Sequence, residues 1–171
     1  MLSTDLMRDA FSRVHDSVHA SLLGAGPELL EYRADPQANT IAWLVWHLTR
    51  VQDDHIAGLM DGPQLWTTAG WHKRFDLPFA ASATGYGQSA GDVAAVKVGA
   101  DLLLGYFDAV HERTLDYLDT LTEADYGRVV DTRWTPAVTL AVRLISVIND
   151  DLQHAGQASY VRGLAQRAGL H

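Results

Sequence analysis

An aspartate and a histidine stand four residues apart in Val147-Ile148-Asn149-Asp150-Asp151-Leu152-Gln153-His154-Ala155-Gly156-Gln157, within an otherwise apolar stretch of helical character. Residues i and i+4 share a helix face about one turn apart, so Asp150 and His154 can offer an oxygen and a nitrogen to the same cation. Asp151, at i−3 from His154, approaches that face too, and spacing alone does not choose between the two carboxylates. A third ligand must come from another element.

His47 lies in Trp43-Leu44-Val45-Trp46-His47-Leu48, among the most apolar surroundings of any of the eight histidines. Taken alone it reads as a core imidazole bonded to a carbonyl. Helical bundles, however, build metal sites from inward-pointing side chains of facing helices, so this segment can supply the ligand that the Asp150/His154 helix lacks. His15 and His19 form a second i, i+4 pair, but they sit off the centre of their own apolar stripe and are expected in solvent. His55, beside Asp53 and Asp54, reads as an exposed or rim residue. His72 falls near Trp66 and Trp71 and is placed to reach over a site as a substrate contact. His111 and His171 carry no signal.

Four segments have the periodicity needed to position these groups. The first runs from Thr4 to Leu23, with Leu6, Ala10, Phe11, Val14, Val18 and Leu22 on one stripe, and stops at Gly24-Ala25-Gly26-Pro27. Asn39 or Thr40 can cap the second, which reaches about Met60 with Ile41, Leu44, Leu48, Val51, Ile56 and Leu59 inward. A third is expected from about Val93 to Leu121, with Gly99 and Gly105 blurring its limits. The fourth opens around Pro136 at a first-turn position, ends at Gly163 or Gly169, and is apolar nearly all round, as a central helix would be.

Between the second and third lies a connection of roughly thirty residues, Asp61 to Gly91, long enough in a small domain to suggest function or mobility. Strand-like alternation is confined to Arg128–Asp131 and looks isolated. The expected fold is all-α: an antiparallel four-helix bundle with a long crossover between helices two and three.

At 171 residues the chain fits one core, taken as a single domain over 1–171. The net charge of −8, with 13 scattered Lys and Arg, gives nothing to attract nucleic acid or anionic lipid. No apolar run approaches the ~20 residues of a membrane helix, and the start of the chain lacks a signal-peptide pattern; a cytoplasmic location is expected. The absence of cysteine excludes disulfides and a protein thiol nucleophile. Any sulfur chemistry must use sulfur brought by a substrate.

A histidine in an aromatic-rich second helix, a long second connection and a fourth helix ending His-x-Gly-Gln resemble the DinB superfamily of four-helix metalloproteins. The usual fourth-helix motif there is Asn-His-x-x-x-His-x-Gly-Gln, matched here at Asn149, His154, Gly156 and Gln157, with Asp150 in place of the first histidine. A carboxylate at that position also resembles the mycothiol-dependent maleylpyruvate isomerases. Gly85-Tyr86-Gly87-Gln88 and the run Asp150 to Leu164 are similar to actinobacterial members. The resemblance selects Asp150 over Asp151 and implies His47, Asp150 and His154 as metal ligands.

Two neutral imidazoles and a carboxylate leave a divalent ion with a net charge of about +1 and an open position, the arrangement of catalytic rather than structural sites. Zinc is the first expectation, with nickel or iron also compatible with such donors. The resemblance further implies a cytoplasmic transferase that activates a low-molecular-weight thiol, mycothiol foremost, for conjugation to an electrophile in detoxification. A metal-dependent hydrolase and a non-catalytic, metal-stabilised binding module are the alternatives, and a homodimer is compatible with the family. Trp43, Trp46, Trp66, Trp71, His72 and Tyr86 are candidates to line a substrate pocket, with Lys73 or Arg74 meeting an anionic group. Asp54, two turns from His47, is either a support for the metal ligands or simply exposed.

Overall fold

The computed structural model describes residues 2–170, so His171 lies outside the described residues. Four long helices form the body: α1 (Ser3–Leu22), α3 (Ile41–Leu59), α7 (Ala100–Asp119) and α8 (Leu140–Arg167). Short helices α2 (Pro27–Leu30), α4 (Leu65–Thr68), α5 (Trp71–Phe75) and α6 (Ala90–Ala95) lie in the connections. None of the described helices is long and apolar enough to cross a membrane. Around the bundle the order is α1, α8, α3, α7, each long helix packing on two neighbours.

Pairing across the seams fixes the helix directions. Arg8 of α1 reaches Asp119 of α7 while His19 reaches Asp108, so this pair is antiparallel. Arg50 bonds Tyr106 and Gln52 bonds Thr114, so α3 and α7 run parallel. The long crossover explains this: it carries the chain back along the bundle before α7 begins. Its path is held by a buried polar network. Arg50 donates to the carbonyl of Ala83 and to Gln64 Oε1, and Asp53 accepts from the Leu65 and Trp66 amides and from the Tyr106 hydroxyl. Asp53 thereby satisfies donors that the first turn of α4 would leave open.

Local chemistry sets the boundaries. Thr40 caps α3 by accepting from Trp43 N at 3.1 Å, and Thr139 caps α8. The fourth helix therefore begins at Leu140, after Pro136. The third expected helix is split: Ser89 and Asp92 form a capping box that starts α6, the backbone leaves helical geometry at Val96, and α7 restarts after Gly99. Strand β1 (Val129–Asp131) is not isolated, since it pairs antiparallel with β2 (Val138–Thr139). Arg143 of α8 and Arg133 both donate to Asp131, fastening this hairpin to the start of α8.

The core is aliphatic and aromatic along α1, α3, α7 and α8, including Phe11, Val18, Leu44, Trp46, Phe107, Leu144 and Ala158. Leu6, expected inward, is exposed. So are Val142, Ile145, Leu152 and Tyr160, which means that α8 presents an apolar face to solvent rather than being enclosed.

Candidate metal centre

Helices α3 and α8 are antiparallel across the seam that brings His47 to Asp150 and His154. One potential donor atom from each of these three residues lies within 4.8 Å of the other two. The His47 and His154 rings are 4.6 Å apart and nearly perpendicular, at 77°. The i, i+4 spacing on α8 places the second and third groups one turn apart. Burial selects between the adjacent aspartates: Asp151 is fully buried in the core, whereas Asp150 is only half-buried and is the one that joins the cluster.

Both imidazoles are oriented by backbone carbonyls. His47 Nδ1 meets the carbonyl of Thr84, and His154 Nδ1 meets that of Asp150 at 2.8 Å. A carbonyl only accepts, so each Nδ1 carries the proton and each Nε2 keeps its lone pair. The carboxylate Oδ2 of Asp150 is buried without a hydrogen-bond partner among the described residues and lies 3.4 Å from His154 Nδ1. A buried carboxylate oxygen left open in this way costs desolvation energy unless something positive meets it. Two nitrogen lone pairs and one anionic oxygen are the donor set of a borderline divalent cation, and the residues present fit one.

The charge states set what a cation would have to compete with or could draw on. Burial pushes the His47 pKa below its ordinary value, against the pull of the Thr84 carbonyl. For Asp150 burial acts upward, but His154 and then His47 hold the carboxyl below the usual range. His154 is raised: burial opposes the shift, and the side chain and carbonyl of Asp150 overcome it. In Asp151, burial and then the charge of Asp150 raise the carboxyl well above normal, which favours a neutral core acid.

The long connection closes over His47. Gly85 crosses the imidazole at φ +100°, where a Cβ would stand 2.5 Å from His47 Nδ1 and 3.2 Å from Trp43 Cζ2. Trp43 stacks on His47 with ring centroids 4.6 Å apart, and its Nε1 donates to Gln88 Oε1 at 2.7 Å. Thr84, Gly85 and Gln88 thus position the site. Their segment was visible in the sequence as a motif, but a backbone carbonyl ligand to a histidine leaves no residue-type signal.

Of the other candidate pocket residues, Trp43 alone is in ring contact with the cluster. Trp46 packs on Trp66 and Phe79, and Trp71 on Tyr106 beneath the cation of Arg74. His72 Nδ1 meets the Trp66 carbonyl, and with Trp46, Trp66 and Lys73 it lines a separate cavity of about 230 Å³. Tyr86 projects into solvent, 95% exposed. Asp54 is exposed and accepts from Gln64 instead of supporting His47. His55 is half-buried beside Arg143, and burial followed by that positive charge lowers its pKa. His15 and His19, expected in solvent, are half-buried against Asp108.

Two cavities flank the centre along the α3–α8 seam. Towards the start of α8 lies one of about 720 Å³ lined by Asp54, His55, Arg128, Asp131, Arg133 and Arg143. Towards its end lies one of about 270 Å³, lined in part by Asn39, Leu44, Gln157, Tyr160 and Val161.

A family model described as mycothiol-S-transferase matches residues 6–166. The chain belongs to the mycothiol S-transferase family. A crystal structure of a conserved protein from Enterococcus faecalis superposes with a TM-score of 0.88 at 31% identity, covering 95% of this chain and 96% of that one. This agrees with the DinB-type bundle expected for a mycothiol S-transferase family member. No functionally curated protein matches the chain.

Proposed function

We propose that the protein is a metal-dependent S-transferase in which His47, Asp150 and His154 hold a divalent cation, zinc foremost with nickel or iron as alternatives, and mycothiol is the thiol substrate. The reading is carried by the convergence of two carbonyl-oriented imidazoles with a carboxylate whose Oδ2 has no hydrogen-bond partner among the described residues, within a chain of this family. A divalent ion in such a site, with a position left open, lowers the pKa of a thiol from about 8.5 so that it reacts as thiolate at neutral pH.

The chain's own groups do the rest. Thr84 and the Asp150 carbonyl keep both histidines in the ligating tautomer, and the Asp150 carboxylate offsets charge. Trp43 covers one face of His47 and shields it from water. The larger, polar cavity suits the thiol and the smaller, more apolar one the electrophile, with the centre between them. In the reaction the S–H bond breaks and its proton leaves to solvent. The thiolate sulfur then forms an S–C bond as the electrophile's carbon gives up the electron pair of the bond it loses, either to a leaving group that departs as an anion or, in an addition, to the neighbouring atom, which takes up a proton from solvent. The exposed apolar residues Val142, Ile145, Leu152 and Tyr160 of α8 supply a face for a homodimer, to be read from the mass in solution.

The test is metal content by mass spectrometry on untagged protein, combined with a conjugation assay using a chromogenic electrophile and several thiols. About one metal per chain at this centre, with mycothiol-dependent turnover lost in both His47→Ala and His154→Ala, supports the reading. Turnover of an ester or amide without any thiol would point instead to water as the nucleophile, since zinc lowers the pKa of bound water to about 7. Full metal content at the centre in His154→Ala would overturn the ligand set.

A further inference from the structure

We propose that His15, His19 and Asp108 form a second divalent-cation site, on the α1–α7 seam opposite the α3–α8 centre, which clips those two helices together. The i, i+4 pair on α1 faces a single carboxylate on α7. His19 Nε2 is 2.7 Å and His15 Nε2 3.2 Å from the same Asp108 Oδ1, and one donor atom from each of the three lies within 4.8 Å of the others. In a tetrahedral site with metal–ligand bonds of about 2.0–2.1 Å, neighbouring donors stand roughly 3.3 Å apart. Only the shorter of the two nitrogen–oxygen distances has to open, by about half an ångström on that geometry.

The surroundings are those of an ion site rather than of one hydrogen-bonded pair. The His15 ring lies 4.1 Å from that of His19 and 4.6 Å from that of His111, so three imidazoles crowd one carboxylate. His111 Nδ1 is buried without a hydrogen-bond partner among the described residues. Phe107 packs against both His15 and His111 and supplies an apolar floor. Two imidazoles and one carboxylate again favour zinc or another first-row divalent ion. The three side chains are 31%, 39% and 47% exposed, so the ion can exchange with solvent.

The test titrates the metal-stripped full chain with zinc, counting bound metal by mass spectrometry and following the melting temperature. In a His47→Ala/His154→Ala background, one zinc per chain and a zinc-dependent rise in melting temperature are expected. Both should vanish when Asp108→Asn or His15→Ala/His19→Ala is added. In the otherwise native chain, Asp108→Asn should remove one equivalent of zinc while circular dichroism shows the helices intact, so a background that fails to fold does not decide the matter. Zinc uptake and melting temperature unchanged by Asp108→Asn and by His15→Ala/His19→Ala would overturn the proposal. Turnover is not a readout, so failure of the transferase reading and failure of this one are separable.

Discussion

Gly85 lies against the imidazole of His47 so closely that a Cβ there would come within 2.5 Å of Nδ1. The same residue has φ +100°, a conformation that side-chain-bearing residues rarely adopt. Gly85→Ala should therefore push His47 away from the Thr84 carbonyl and out of alignment with His154. Loss of an orienting contact of this kind typically weakens metal affinity about 10–100-fold. A zinc titration of the variant with the α1–α7 histidines removed would check it; wild-type affinity would show that the imidazole tolerates the displacement.

The pH dependence of metal affinity follows from the two histidines. His154 is raised above its ordinary value and His47 lowered, and each must lose its Nε2 proton, or remain without one, to ligate. As pH falls, protonation of His154 competes first, beginning above the usual imidazole pKa of about 6.5. His47 follows only in more acid solution. The logarithm of the zinc dissociation constant should thus rise with a slope of about one proton per pH unit, then steepen towards two. A single two-proton step would contradict the separation of the two sites.

Arg50 and Asp53 are both buried, and they link α3 to the crossover through Ala83, Gln64, Leu65 and Trp66. Arg50→Met leaves Asp53 with less compensation and frees the segment preceding Thr84. Removing one partner of a buried pair costs about 3–5 kcal/mol. Urea denaturation should report a loss of that order, accompanied by weaker metal binding because the carbonyl that orients His47 is no longer held. A loss below about 1 kcal/mol would mean that the network is not what fixes the crossover.

Tyr86 gives the opposite expectation. Its side chain is exposed and flanked by glycines, so Tyr86→Ala should change stability by no more than about 0.5 kcal/mol and leave zinc affinity unaltered. A change in KM for either substrate, with metal content constant, would locate that substrate against the exposed segment 84–88.

Periodicity alone determined that four amphipathic segments would assemble, because apolar stripes at helical spacing have to be buried against one another. It also put Asp150 and His154 within reach of one ion, since i, i+4 neighbours meet on any helix. It did not determine which carboxylate turns outward from the core. Asp150 and Asp151 differ by one residue, a rotation of about 100°, and only the packing of α8 against α1 and α3 sends Asp151 into the interior and Asp150 towards His47.

The same rotational ambiguity hid the α1–α7 cluster. On its own helix the His15/His19 pair sits at the edge of the stripe, and its environment depends on Asp108 and His111 arriving from another element. For the second helix and the long connection the tryptophans were visible, but their direction was not. Trp43 turns to His47, while Trp46 and Trp71 turn into the aromatic core with Trp66 and Tyr106. Side-chain type is a property of the sequence, whereas the facing partner is a property of helix rotation and crossover path, which the buried Arg50–Asp53 network and the close passage of Gly85 settle only in three dimensions.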